Sequence, residues 1–179
     1  LVIMLEFLIA LPIIGSFFIL CIPRQEIILI RRVALYFSLF IFFMSIILWL
    51  EFDYFMSNFQ FMSKYPWFFS LNINFFLGID SISLLFIILT TFIVPLCILT
   101  SWKSIQFNMK EYMFFFLIME ALLIIVFSVL DIFVFYIFFE SILIPMFLLI
   151  GIWGSRLRKI RAGFLFFFYT LVGSLLMLI

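Results

Sequence analysis

The chain has no histidine, and its two cysteines, Cys21 and Cys97, lie in separate apolar runs. The chain thus offers no zinc, haem or iron–sulfur ligand set of its own, so no cofactor is expected in it, and no disulfide framework either. Charge is scarce as well: charged residues are 11% of 179, with a formal net charge of +1. That balance predicts no nucleic-acid binding, and no Lys/Arg-rich tract stands apart from the borders of apolar segments. A nucleotide-binding glycine pattern is also missing.

Hydrophobic residues fill the space left by these absences. They make up 69% of the chain, 31 of them phenylalanine, and the mean hydropathy is +1.48. Soluble domains hold about 45–50% apolar and about 25% charged residues, so a soluble fold is excluded and a bilayer is the expected solvent. Segments of about 20 apolar residues span a membrane as helices. Charged borders mark six of them, from Leu1 to Ile22, Val33 to Leu50, Asp80 to Ser101, Glu111 to Leu130, Asp131 to Trp153 and Ala162 to Ile179. The expected class is therefore an all-α polytopic membrane protein. The Cys21-Ile22-Pro23-Arg24 exit lacks a small-residue cleavage site, which argues against reading the first segment as a signal peptide.

Nine of the ten basic residues fall in odd-numbered connections: Arg24, Arg31 and Arg32 in the first, Lys103 and Lys110 in the third, and Arg156, Arg158, Lys159 and Arg161 in the fifth. Only Lys64 lies in an even one. The positive-inside rule puts the odd connections on the cytoplasm-equivalent, inner side, with Trp49, Trp102 and Trp153 marking span ends. The second connection, Glu51 to Ile79, is too long for a turn. Ser70 to Phe75 alternates polar and apolar, as does Phe59-Gln60-Phe61, so a short β-hairpin turning at Lys64-Tyr65-Pro66 is expected on the outer face.

Between Glu111 and Arg156 the only charged residues are Glu120, Asp131 and Glu140, all acidic. An ionisable group at bilayer depth costs about 3 kcal/mol on insertion scales and marks a functional site by default. Glu120 lies ten residues before Leu130 and Glu140 ten after it, so a tight hairpin there sets both about 15 Å from the outer surface. Pro145 lacks the amide that would bond the Ser141 carbonyl, which frees an acceptor beside Glu140. Glu140 and Glu120 are the candidate proton-relay carboxylates, and the competing reading of each is a neutral structural acid bonded between helices. Asp131 and Asp80, at span borders, read as helix caps. The Arg156 to Arg161 cluster reads as a topological anchor, with anionic lipid or a peripheral subunit as the sharper option. Thr170 and Ser174 read as local or interhelical hydrogen-bonding residues. Tyr136 and Tyr169 are possible donors to the buried acids, and the phenylalanines form lipid-facing and packing surface.

Residues 135–146, FYIFFESILIPM, with Trp153-Gly154-Ser155-Arg156-Leu157-Arg158-Lys159-Ile160-Arg161-Ala162 and Phe168-Tyr169-Thr170-Leu171-Val172-Gly173-Ser174, resemble the subunit 4 family of mitochondrial NADH:ubiquinone oxidoreductase, respiratory complex I. Leu71 to Asp80 and Leu89 to Leu96 fit the same pattern, so the resemblance runs along nearly the whole chain. It implies an antiporter-like, proton-translocating subunit of the membrane arm, multi-pass in the mitochondrial inner membrane, with other membrane-arm subunits and lipids as partners. Electron transfer would occur elsewhere in the complex. By the same resemblance Glu140 matches the family's fifth-helix glutamate, which pairs with a lysine on a later helix, and Glu120 matches an additional fourth-helix glutamate.

The family subunit has about fourteen helices, whereas no Lys or Arg lies at mid-depth of any span here. The resulting expectation is an N-terminal portion, completed by a second chain that supplies the later helices and the partner lysine. Residues 1–110 would hold three helices with an outer-face loop at 51–79, and residues 111–179 the start of the antiporter-like repeat. Two other readings stand beside it: a structural membrane-arm fragment that does not pump, and a related cation/proton antiporter subunit.

Overall fold

Backbone amides facing lipid must be paired within the chain, and the apolar segments satisfy this as helices. A computed structural model of the chain describes residues 2–56, 58–68, 73–155 and 157–179. Six helices of membrane-spanning length and composition run in order: α1 (Val2–Cys21), α2 (Ile27–Leu50), α3 (Ser81–Ser104), α4 (Met109–Ser128), α5 (Ile132–Trp153) and α6 (Lys159–Leu178). Between α2 and α3 the strands β1 (Gln60–Phe68) and β2 (Ile73–Ile79) pair antiparallel. The chain is a multi-pass membrane protein.

Helix ends differ from the charge-marked borders in one consistent way. α2 begins at Ile27, so Arg31 and Arg32 lie within it, and Lys103, Lys110, Lys159 and Arg161 likewise sit inside helix ends. Long basic side chains can stay helical near a membrane border because their heads reach outward. Arg31 donates from Nη2 to the Ile105 carbonyl at 2.8 Å, with its guanidinium 5.9 Å from the Trp102 ring centre. Lys110 donates to the Ile22 carbonyl at 2.8 Å, and Arg24 pairs with Glu111 at 2.6 Å. These contacts tie the inner-side connections together. Arg156, from the basic cluster, lies outside the described residues.

The hairpin is present, but its turn is not at Lys64-Tyr65-Pro66. Those residues belong to β1 and pair with Phe76, Phe75 and Asn74. Proline is tolerated there because a two-stranded sheet leaves one edge of each strand free, and the register shifts just after Pro66. Phe68 pairs with Ile73, and Ser70, Leu71 and Asn72 of the alternating stretch lie outside the described residues. Tyr65 donates its hydroxyl to Glu6 of α1 at 2.7 Å. That bond, more than any other influence, raises the phenol above its ordinary range. On its other side β2 meets the α4–α5 turn: Leu77 bridges Val129, and the Leu130 amide donates to the Phe76 carbonyl at 2.9 Å. A Cβ on Gly78 would stand 2.7 Å from Leu130 Cδ1, so a larger residue there would push the Leu130 side chain aside.

Helices α1 to α4 pack around a shared interior, α5 lies on α4, and α6 lies on α5. The interior has two apolar blocks. The outer one includes Leu8, Leu11, Ile41, Ile87 and Ile124, and the inner one Ile19, Ala34, Val94, Met113 and Leu117. Three helices carry an internal proline, Pro12, Pro95 and Pro145. Asp131 caps α5 through its Oδ1, which accepts from the Phe133 amide at 2.9 Å, and the Asp80 amide at the start of α3 donates to Ser83 Oγ at 2.8 Å. Both border aspartates therefore serve helix starts.

Candidate functional site

Glu140 occupies the middle of α5, one residue before Ser141 and one turn before Pro145. Ser141 donates its hydroxyl to the Ile137 carbonyl at 2.8 Å, and the proline leaves the Ser141 carbonyl without its helical donor. The Glu140 side chain turns toward α6, where the Ser174 hydroxyl donates to Oε1. Ser174 also reaches its own Leu171 carbonyl at 2.9 Å, and Tyr136, one turn earlier, lies against both Glu140 and Ser174. Glu140 is half-buried. A carboxylate so placed keeps lone pairs for a further donor or cation.

Glu120 is enclosed instead. It is 0% exposed, and neither carboxyl oxygen has a hydrogen-bond partner among the described residues. The helical repeat explains its direction. Leu117, Glu120 and Ile124 fall on one stripe of α4, whereas Phe115, whose ring packs at 6.4 Å on Trp153 of α5, is about 140° around the helix from Glu120. The stripe faces the interior shared with α1, α2 and α3.

The two glutamates sit at matching depth. Glu120 lies eight residues before Ser128, the last residue of α4, and Glu140 eight after Ile132, the first of α5; each distance is about 12 Å of helix rise. No hydrogen bond joins them among the described residues, since one looks into the α1–α4 interior and the other toward α6. The ion pair that the described residues form is Arg24–Glu111, at the inner border, so it reaches neither acid. Ser174 was legible only as an interhelical bonding residue. Its tie to Glu140 follows from the α5–α6 hairpin, because Glu140 stands thirteen residues before Trp153 and Ser174 fifteen after Lys159. Tyr169 is 84% exposed, so it does not serve a buried acid here. Thr170 bonds within its own helix, to the Phe166 carbonyl at 2.7 Å.

Comparison with known proteins agrees along the chain. Residues 4–130 match the family model described as NADH-ubiquinone oxidoreductase chain 4, amino terminus, and residues 128–179 match that of the NADH:quinone oxidoreductase/Mrp antiporter transmembrane region. NADH-ubiquinone oxidoreductase chain 4 of Chondrus crispus is 55% identical over 168 residues, covering 94% of this chain and 34% of that protein. The Arabidopsis thaliana protein of the same name is 53% identical over 172 residues, covering 96% and 35%. A chain of respiratory complex I from Thermus thermophilus, solved with bound NADH, superposes with a TM-score of 0.81 at 26% identity over 97% of this chain and 34% of that one. The chain thus spans about a third of the length of the relatives it matches. With a family model covering most of its residues, the chain belongs to the family of NADH-ubiquinone oxidoreductase chain 4.

Proposed function

We propose that this chain contributes to proton translocation coupled to NADH:ubiquinone oxidoreduction, as part of an antiporter-like subunit in the membrane arm of complex I in the mitochondrial inner membrane. The observation that carries the reading is Glu140: a mid-depth carboxylate on a proline-interrupted helix, held by Ser174 and still half-open. Holding a proton and releasing it on command requires a neighbour whose charge changes. At an effective dielectric constant of about 20, a unit charge 4 Å away is worth about 4 kcal/mol, which is about three pKa units. A cation approaching the open side of Glu140 would favour the ionised carboxylate, and its withdrawal would favour reprotonation. The relatives carry two-thirds of their length beyond the matched region, and we propose that the cation, a lysine, comes from helices there. Mass spectrometry of the purified complex tests whether a separate polypeptide supplies them, and finding them on this same chain would overturn the two-chain version. Glu120, at the same depth, is the second proposed relay carboxylate.

Glu140→Gln tests the relay in the assembled complex, with proton uptake by membrane vesicles measured against NADH oxidation. Loss of proton movement with an assembled complex supports the relay; full coupled pumping would sink it in favour of a scaffold role. The Mrp-antiporter part of the second family match favours an alternative, cation/proton exchange. That reading requires ion exchange that persists without NADH or quinone.

A further inference from the structure

Each of the four helices that build the common interior contributes one wholly enclosed polar residue to the interval between the outer and inner apolar blocks. These are Ser16 on α1, Ser38 on α2, Thr91 on α3 and Glu120 on α4, all 0% exposed. Their register follows from neighbouring contacts. A Cβ on Gly15 would stand 2.9 Å from Phe37 Cδ1 and 3.4 Å from Leu117 Cδ1, so residues 15, 37 and 117 meet at one level. Ser16 and Ser38 are the next residues along two of these helices. Helical side chains lean toward their helix N-terminus, so the Glu120 carboxyl reaches back toward the Leu117 level. Thr91 lies outward of them, joined to Ser45 of α2 at 2.8 Å.

The hydrogen count in this layer does not balance. A hydroxyl has one hydrogen and two lone pairs. Ser16 uses its hydrogen on the Ile13 carbonyl at 2.6 Å and Ser38 on the Leu35 carbonyl at 2.9 Å, whereas Thr91 is taken up by the Ile88 carbonyl at 3.0 Å and Ser45 at 2.8 Å. What the two serines turn to the interior is lone pairs. Glu120 adds two oxygens with no partner. The layer is thus rich in acceptors and poor in donors, in a setting where an unmet polar group costs about 1–3 kcal/mol. Even protonated, the Glu120 carboxyl adds one hydrogen and finds no acceptor among the described residues, so a small bridging ligand is what the layer lacks.

We infer that this layer is a membrane-embedded hydration site, in which water bridges the Glu120 carboxyl to the hydroxyl oxygens of Ser16 and Ser38. Water fits because it brings two donors and needs two to four polar partners, which the layer offers. A monovalent hard cation such as Na⁺ would use the same all-oxygen shell. Water is favoured because the layer holds a single carboxyl, and the described residues contain no cluster of three acidic or other metal-ligating side chains. The inference rests on the reading of Glu120 as a relay and gives that relay its carrier: the proton enters and leaves Glu120 through water held by α1 and α2, on a different side from Glu140.

Difference infrared spectroscopy of the assembled complex in its membranes, in H₂O and D₂O, tests this. Glu120→Gln identifies the Glu120 carboxyl band by its loss. With Ser16 and Ser38 both changed to alanine, the band should shift toward weaker hydrogen bonding and its D₂O exchange should slow by about tenfold or more. The single changes Ser16→Ala and Ser38→Ala serve if the double variant fails to assemble, and each should shift the band in the same direction by less. A band unmoved in every assembled variant overturns the proposal, as does one that responds to replacing K⁺ by Na⁺. Proton pumping in the same preparations separates the two readings. Full pumping in Glu120→Gln with a serine-sensitive band sinks the relay and keeps the hydration site. Lost pumping with a serine-insensitive band does the reverse.

Discussion

α4 and α5 are neighbouring helices of similar length, each with a glutamate eight residues from the turn that joins them, yet they treat it in opposite ways. Half of the most apolar stretch of α4 is buried, against 17% for α5 and 11% for α6. Glu120 accordingly lies in a sealed interior, and Glu140 on a flank that is still open. The difference teaches that depth alone does not assign a role to a membrane carboxylate. An enclosed acid can exchange protons only through what its own bundle supplies, whereas an open one is available to whatever helix comes to lie against it.

The strongest way to break this comparison is at its open end. On the proposed relay, Glu140→Gln should slow the proton-transfer step through this subunit about a hundredfold, in the range lost when a positioned acid–base group is removed, and lower the protons moved per NADH oxidised by this subunit's share; an equal defect from Glu120→Gln would show that both acids serve one path. Ser174→Ala removes the bond that orients Glu140 and should cost about 1 kcal/mol, the usual worth of one hydrogen bond, seen as roughly fivefold slower proton uptake by membrane vesicles with assembly intact. Gly15→Leu attacks the closed end. Its side chain would meet Phe37, costing about 1–3 kcal/mol of overpacking, and the amount of assembled complex on native gels should fall while the NADH oxidation of what remains stays normal.

The smallest effect lies at the outer hairpin. Tyr65 keeps its proton more tightly in the folded chain than when free, because its hydroxyl donates to Glu6. A raised folded value means that the stabilisation is complete below the ordinary tyrosine range and is lost as pH rises through the raised value. With the base-catalysed intrinsic rate divided out, the protection of the hairpin amides from exchange should therefore be flat from about pH 6 to 9 and fall only above about 10. Tyr65→Phe should abolish that alkaline step and change little else.

Helix number and the pairing of α4 with α5 were readable because apolar length is a one-dimensional signal, and the depth of Glu120 and Glu140 followed by counting from Leu130. Direction was harder to read. The helices are apolar on nearly every face, so no polar stripe shows which way Glu120 points; only packing reveals that the side it shares with Leu117 and Ile124 faces α1, α2 and α3. Arg31 and Lys159 were misread as loop residues because a charge next to an apolar run resembles a border, although a long side chain lets the helix continue past it. Pro66 suggested a turn, since proline disrupts sheet interiors, and a two-stranded ribbon has none.

The bridge between Leu77 and Val129, with the Leu130 amide on the Phe76 carbonyl, has a mechanical consequence. It anchors the outer ends of α4 and α5 to the hairpin, so these helices can swing only as pendulums hung from that point. A swing of about 5° displaces a residue 12 Å along the helix by about 1 Å and the far end by roughly two and a half times that. The glutamates would then ride near the slow part of the stroke while the inner ends around Trp153 travel furthest, so a push at the inner surface would reach the acids geared down to the scale on which a hydrogen bond is made or broken.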